Sequence, residues 1–180
     1  HERRICDADL LCVDAFPGIE PYNGVGQLEP TQMASVYDRR LPVCDSQFQF
    51  AVEVDAAFAA HDVDAFTQIA AMKDPPLPWM PAAARRWLAE QPDPATGLGR
   101  LESLALTAVR AGCEKPADIY RSVADADEPP QFWGDIMLWA KVNALADRTP
   151  PRVNIEGPLP RLPQWEGIAD LTRFRVRPAD

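Results

Sequence analysis

The sequence predicts a helix-dominated α/β protein, and three observations support this prediction. Most segments of the 180-residue chain place apolar residues at helical spacing. Short runs that favour β-strands lie only near residue 10 and after residue 150. The apolar fraction of 47% is enough to bury a core.

The N-terminal region favours a strand, a glycine-rich loop and a helix, in that order. The apolar run Leu10–Asp14 does not alternate with polar residues, which favours burial on both faces, as in a parallel sheet. Pro30 suits the first turn of a helix over Thr31–Arg39. We interpret this as the remnant of a Rossmann-like unit whose other half lies upstream of His1, so we expect the chain to be a piece of a larger protein.

Helices follow through residue 90. Ser46 and Gln49 have capping-box spacing, which predicts a helix over Gln47–Ala60. Further helices are predicted over Val63–Met72 and, opened by Pro81, to Glu90. Prolines and glycines without apolar periodicity predict a linker over residues 91–99. The predicted organisation is therefore a region 1–90, the linker and a module 100–180.

The module 100–180 has the element order of a winged helix. Three helices are predicted, followed by two strands separated by a proline-rich connection: Leu101–Ala111, Pro116–Ala124, Gln131–Ala146, Arg152–Ile155 and Leu171–Arg177. Three helices followed by a two-stranded ribbon are typical of that module. The third helix is apolar around almost its whole circumference and has Lys141 as its one basic residue, which argues against reading of a DNA groove.

Charge and cysteine content restrict the class of protein. The net charge is −9, with 7 Lys/Arg against 15 Asp/Glu in residues 1–99 and 11 against 12 in residues 100–180. An acidic surface repels phosphate backbones, so a general nucleic-acid binder is not expected. No apolar run reaches the roughly 18 residues that span a bilayer, and we expect no membrane association. The cysteines (Cys6, Cys12, Cys44, Cys113) lack metal-ligand spacing, which favours reduced thiols in a cytoplasm, no metal, and a core position for Cys12.

The glycine loop is the first candidate site. Asp14 ends the predicted strand, and Gly18, Gly24 and Gly26 allow a ligand to approach backbone N–H groups at a helix N-terminus. The spacing matches no phosphate-binding motif. The alternative is a tight connection that needs positive φ at one or more glycines. No cofactor is predicted.

The final strand is the second candidate site. Arg173, Arg175 and Arg177 alternate with apolar residues and so share one face. As a wing they would contact phosphates. The alternative is an edge strand kept soluble by charge.

Several motifs resemble those of a bacterial family. Residues 16–28 (FPGIEPYNGVGQL), 30–35 (PTQMAS) and 39–43 (RRLPV), with 97–102 (GLGRLE), 132–135 (FWGD) and Trp139, resemble proteins built around the domain of unknown function 1835. The order and approximate spacing match over residues 10–146. The resemblance implies a C-terminal portion of such a protein, which usually has a further α/β part upstream. It implies no catalytic residues.

The sequence favours a non-enzymatic regulatory or interaction module with a protein partner or self-association, since the apolar third helix is suited to packing on another domain. One alternative is an enzyme that binds a nucleotide or phosphate metabolite and shares its site with the upstream part. The other is nucleic-acid contact through the arginine strand.

Overall fold

The computed structural model describes residues 8–20, 22, 24–128, 131–165 and 170–179. About half of the chain is helical. The helices are α1 (Pro30–Tyr37), α2 (Asp45–Ala59), α3 (Val63–Ala71), α4 (Met80–Ala89), α5 (Arg100–Arg110), α6 (Pro116–Ala126) and α7 (Asp135–Ala146). The strands are β1 (Asp9–Leu10), β2 (Leu41–Pro42), β3 (Val153–Glu156) and β4 (Arg175–Pro178), in two antiparallel ribbons. The prediction of a helix-dominated protein is confirmed.

The chain forms two compact units, residues 1–88 and 89–180. The boundary lies between Leu88 and Ala89, in the last turn of α4. Residues 91–99, for which the sequence predicts a linker, fold within the second unit. There the Asp93 carboxylate accepts hydrogen bonds from the backbone of Ala95 and Thr96, and Leu98 is buried.

The strand predicted over Leu10–Asp14 is wrong in its length and its pairing. It covers Asp9 and Leu10 and pairs antiparallel with β2, which follows α1 in the chain. A ribbon of two residues per strand offers little surface against which a side chain can be buried. Cys12, for which the sequence predicts a core position, is accordingly exposed.

The helices of the first unit match their predictions within a few residues, but the cap of α2 does not. Glu29 caps α1 in a capping box with Gln32, and Pro30 occupies the first turn as predicted. The sequence predicts a capping box of Ser46 with Gln49, but the N-cap residue of α2 is Cys44. The Cys44 backbone N–H donates to Gln47 Oε1 at 3.1 Å. This cap starts α2 at Asp45, two residues before its predicted first residue.

The core of the first unit is small. Phe50 of α2, Phe66 and Ile69 of α3 and Ala84 of α4 form its buried cluster. The Phe66 and Trp87 rings stack at 4.1 Å between centroids. His61, between α2 and α3, has φ +53° and packs edge-on against Trp87 at 4.9 Å.

The second unit has a larger core, built by α5, α6, α7 and the β3–β4 ribbon. The predicted burial of the third helix is confirmed at four apolar positions of α7: Leu138, Trp139, Val142 and Leu145. The helix begins at Asp135, four residues later than predicted. Asn143, also buried, exchanges two hydrogen bonds with the backbone of Leu162, at 2.9 and 2.8 Å. This pair fixes the proline-rich connection to the core.

The final strand is shorter than predicted. Leu171–Arg173 is a 3₁₀ turn capped by Asp170, and β4 begins only at Arg175. Phe174 and Val176 are fully buried while Arg177 is exposed, which confirms the alternation of the two faces.

Candidate functional site

The glycine loop is an open connection. Gly18 and Gly24 adopt positive φ, +82° and +133°, which the tight-connection interpretation predicts. A Cβ added at Gly18, Gly24 or Gly26 would meet no atom within 4 Å, so no close approach of another segment requires a glycine at these three positions. Asp14 is exposed. Glu29 is the N-cap of α1, and its backbone N–H donates to Gln32 Oε1 at 2.8 Å, so a phosphate at this helix end would meet the negative charge of Glu29.

Two of the three arginines of the predicted wing are already engaged. Arg177 contacts Glu114 at 3.2 Å and Glu156 at 3.0 Å. The hydrogen bond to Glu114, followed by the charges of both carboxylates, raises the pKa of Arg177. Arg175 donates to the carbonyl of Phe174 at 2.6 Å. Arg173 is exposed on the 3₁₀ turn rather than on the strand.

In the second unit, two residues of the family-like motifs, Arg100 and Trp133, take part in a buried polar contact. Asp127 is 7% exposed and accepts from Arg100 Nε and from Trp133 Nε1, each at 2.7 Å. Both carboxylate oxygens therefore have a donor, which a buried carboxylate requires. The contact joins α5 to the end of α6 and to the segment that precedes α7.

The motif Gly97–Glu102 has a similar role at the start of α5. Gly97 has φ +68°, and a Cβ at Gly99 would lie 2.5 Å from the carbonyl oxygen of Glu90. Buried Glu102 accepts from the Gly99 N–H at 3.3 Å and from Arg148 at 3.1 Å. The polar groups of these motifs therefore hold the second unit together.

Neither a metal-binding group nor a membrane-spanning helix is found among the residues that the structure describes. There, no group of three or more His, Cys, Asp and Glu side chains is placed to hold a metal ion. No helix among them combines the length and apolar character needed to cross a membrane. Cys44 is exposed at the start of α2, and a hydrogen bond with Ser46, at 3.1 Å, lowers the pKa of its thiol.

The surface of α2 that faces away from the core is the strongest candidate for binding. We name it the α2 outer face and define it by Phe48, Ala51, Val52, Asp55, Phe58 and Ala59, which helical spacing places on one side. Val52 is 63% exposed and Phe58 is 59% exposed. Phe48 is half-buried, and the Phe58 ring, at the edge of this face, lies 6.5 Å from that of Phe66. Phe50 is buried on the side toward the core. The helix is thus apolar on both sides, and the unit's own core covers one of them.

The segment that contains α2 and α3 has formal charge of one sign. Between Arg40 and Lys73 the chain has no Lys or Arg and contains five carboxylates: Asp45, Glu53, Asp55, Asp62 and Asp64. Asp45 and Asp64 lie in the first turns of α2 and α3, and Asp62 caps α3 by accepting from Ala65 at 2.9 Å. Helix N-termini favour such carboxylates. Glu53 and Asp55 lie inside α2, where no helix end explains them.

The two candidate sites predicted from the sequence, the glycine loop and the arginine strand, do not include this face. Two signals were nevertheless present in the sequence. One is the absence of basic residues over residues 41–72, and the other is the apolar character of α2 on more than the single stripe that a surface helix needs. The second signal also fits a helix buried on all sides, so exposure had to come from the structure.

Comparison of the chain with protein-family models, with curated proteins and with solved structures gave no match to any of them. Functional inference therefore depends on the chain's own residues.

Proposed function

We propose that this chain is a non-enzymatic interaction protein, and that the α2 outer face binds a protein partner. The observation that carries the proposal is the exposure of Val52 and Phe58, 63% and 59%, on a helix whose other side is already buried. Grouped exposed apolar residues mark interaction sites more often than scattered ones do. Their location on a regular helix gives the surface a fixed shape.

The second unit supports this function as a scaffold. Its order of three helices and an antiparallel ribbon is that of a winged helix, and we propose that classification for it. In winged helices that read DNA, basic side chains project from the third helix. On α7 the exposed positions include Asp135 and Met137, and Lys141 lies 3.9 Å from Glu90. These side chains favour a protein-binding or purely structural winged helix, so nucleic-acid contact through Arg173–Arg177 is the weaker proposal.

The positive φ of Gly18 and Gly24 suits a tight connection and does not by itself favour a Rossmann-like ligand loop. The antiparallel β1–β2 pairing and the Glu29 cap favour the connection over a phosphate site. A nucleotide-binding enzyme is therefore not preferred.

Cellular context and family belong to the same proposal. The cysteines that the structure describes, Cys12, Cys44 and Cys113, are free thiols, which supports a reducing cytoplasm. The resemblance to the bacterial proteins built around the domain of unknown function 1835 stays a prediction, since no family model matches the chain.

The test compares the full chain with the variant Val52→Ser/Phe58→Ser. We expect saturable binding of the uncharged dye Nile red to the native protein, a reduced signal for the variant, and closely similar midpoints of urea unfolding. The matched control is Val123→Ser, which removes a fully buried side chain and should lower the midpoint strongly.

The proposal fails if the double variant binds the dye like the parent, because the exposed residues would then not form the binding surface. It also fails if the double variant unfolds as easily as Val123→Ser, because Val52 and Phe58 would then serve stability.

A further inference from the structure

We propose that the partner of the α2 outer face is a basic amphipathic helix, with lysine or arginine side chains placed beside an apolar stripe. This inference rests on the proposed function, since it names the partner class for the same face.

The position of Asp55 is the first reason. It lies three residues after Val52 and three residues before Phe58, so helical spacing puts its carboxylate between these two side chains. A wholly apolar partner would bury this carboxylate without a cation, which is strongly unfavourable. A partner cation next to an apolar contact would satisfy both parts of the face.

Glu53 and the neighbouring helix ends are the second reason. Glu53 is exposed on α2 beyond the edge of the α2 outer face and accepts a long hydrogen bond of 3.3 Å from Gln49. With Asp55 and the helix-end residues Asp45, Asp62 and Asp64, it gives residues 41–72 five acidic residues and no Lys or Arg. Complementary charge accelerates the encounter with a basic partner and selects against acidic ones.

The shape of the face is the third reason. Phe48 and Val52 are four residues apart, and Val52 and Ala59 are seven apart, so they follow one line along the 15-residue helix. A helix of this length spans about 22 Å, which matches four turns of a partner helix. Ala51 and Ala59 leave room for the larger apolar side chains of that partner.

A second copy of the chain fits this face less well. In a symmetric pair the same patch meets itself, so the Asp55 carboxylates of the two copies would be brought together. The first 99 residues already have 15 acidic against 7 basic residues, which adds to the repulsion.

The experiment is isothermal titration calorimetry of the full chain with three 18-residue peptide probes. The first probe is an amphipathic helix of Lys and Leu, the second has Glu in place of Lys, and the third has the first probe's composition in an order without an apolar face. We expect binding of the first probe alone, and a loss of affinity as salt is raised.

Three variants locate the contact. Val52→Ser/Phe58→Ser removes the apolar contact and keeps all charges, and we expect a loss of about tenfold or more for buried side chains of this size. Glu53→Gln/Asp55→Asn keeps the apolar contact and should weaken binding several-fold at low salt. Asp125→Asn/Glu128→Gln removes the same net charge from exposed positions of the second unit and should leave the affinity unchanged.

The outcomes separate the partner class from the proposed function. Equal effects of the two charge variants, or equal binding of the third probe, would show general attraction to an acidic protein and overturn the inference. Binding of the Glu–Leu probe, or self-association in light scattering that Val52→Ser/Phe58→Ser abolishes, would overturn the basic partner and leave the interaction function standing. No probe binding together with a strict monomer would count against both.

Discussion

The two units of this chain are nearly equal in length but differ in how they use their apolar residues. Among the described residues, the buried core cluster of the second unit has seventeen members and that of the first has four. The first unit instead exposes most of the large apolar side chains found on the surface: Val25, Tyr37, Leu41, Val52, Phe58, Val63, Met72 and Trp79. Burial of apolar area stabilises a fold, whereas exposed apolar area is available to a partner. For this reason we expect the second unit to be the more stable one, and we proposed the first unit for binding.

The largest expected effect is in the core of the second unit. Phe174 is fully buried, and its ring occupies the space beside Gly157. Phe174→Ala should lower the free energy of unfolding by about 3–5 kcal/mol, since the cavity cannot collapse completely. Denaturant unfolding with amide hydrogen exchange measures this, and protection in α5–α7 should fall while that in α2 and α3 stays. An equal loss in both units would break the comparison.

The corresponding change in the first unit is Phe66→Ala. Phe66 is 3% exposed and stacks on Trp87, but its core is small and lies near solvent, so we expect the lower end of the range, about 3 kcal/mol. Hydrogen exchange should show α2 and α3 opening while the second unit stays protected. Val52→Ala, at an exposed position, is the control and should change stability by less than about 1 kcal/mol. A larger effect at Val52 than at Phe66 would reverse our assignment of the two sides of α2.

A third prediction concerns the buried carboxylate that links the helices of the second unit. Asp127→Asn keeps the shape of the side chain but removes the negative charge that pairs with Arg100. It also replaces one of the two acceptor oxygens, so either Arg100 or Trp133 loses its hydrogen bond. A loss of about 1–3 kcal/mol in the free energy of unfolding is expected, since Arg100 retains partial contact with water. Asp125→Asn, at an exposed site of α6, is the matched control. Identical urea midpoints for the two variants would show that the contact does not stabilise the unit.

The smallest effect is the pH dependence at Asp93. Hydrogen bonds from Thr96, backbone and side chain, and then from Ala95, lower the pKa of this carboxyl. The pKa in the folded state is therefore below the unfolded value of about 3.9, so the ionised carboxylate stabilises the fold at pH values above it. This stabilisation is lost as the pH falls through the folded-state pKa. The difference in free energy of unfolding between the parent and Asp93→Asn should therefore be constant near neutral pH and shrink below about pH 4. A difference that grows in acid would contradict the assignment.

Local sequence signals predicted the helices well. Pro30 and Pro116 mark helix starts because their fixed φ suits a first turn, and Gly112, at φ +96°, follows the end of α5. The N-terminal strand failed for a different reason. A short apolar run shows that a strand is favourable, but it does not show which segment will pair with it. Here the partner is β2, so the ribbon is antiparallel.

The sequence by itself determined the helical character, the acidic first half and the element order of the second unit. Periodicity, caps and charge are local properties, and they remain the same whatever the chain packs against. Only the tertiary structure decided which side of α2 is buried, that Asp127 receives both Arg100 and Trp133, and that Arg177 is paired with Glu114. Two of these contacts join residues far apart in the chain: Arg100 and Asp127 are 27 positions apart, and Glu114 and Arg177 are 63 positions apart. A helix that is apolar on both sides can bury either one, and the choice depends on which neighbours fold against it.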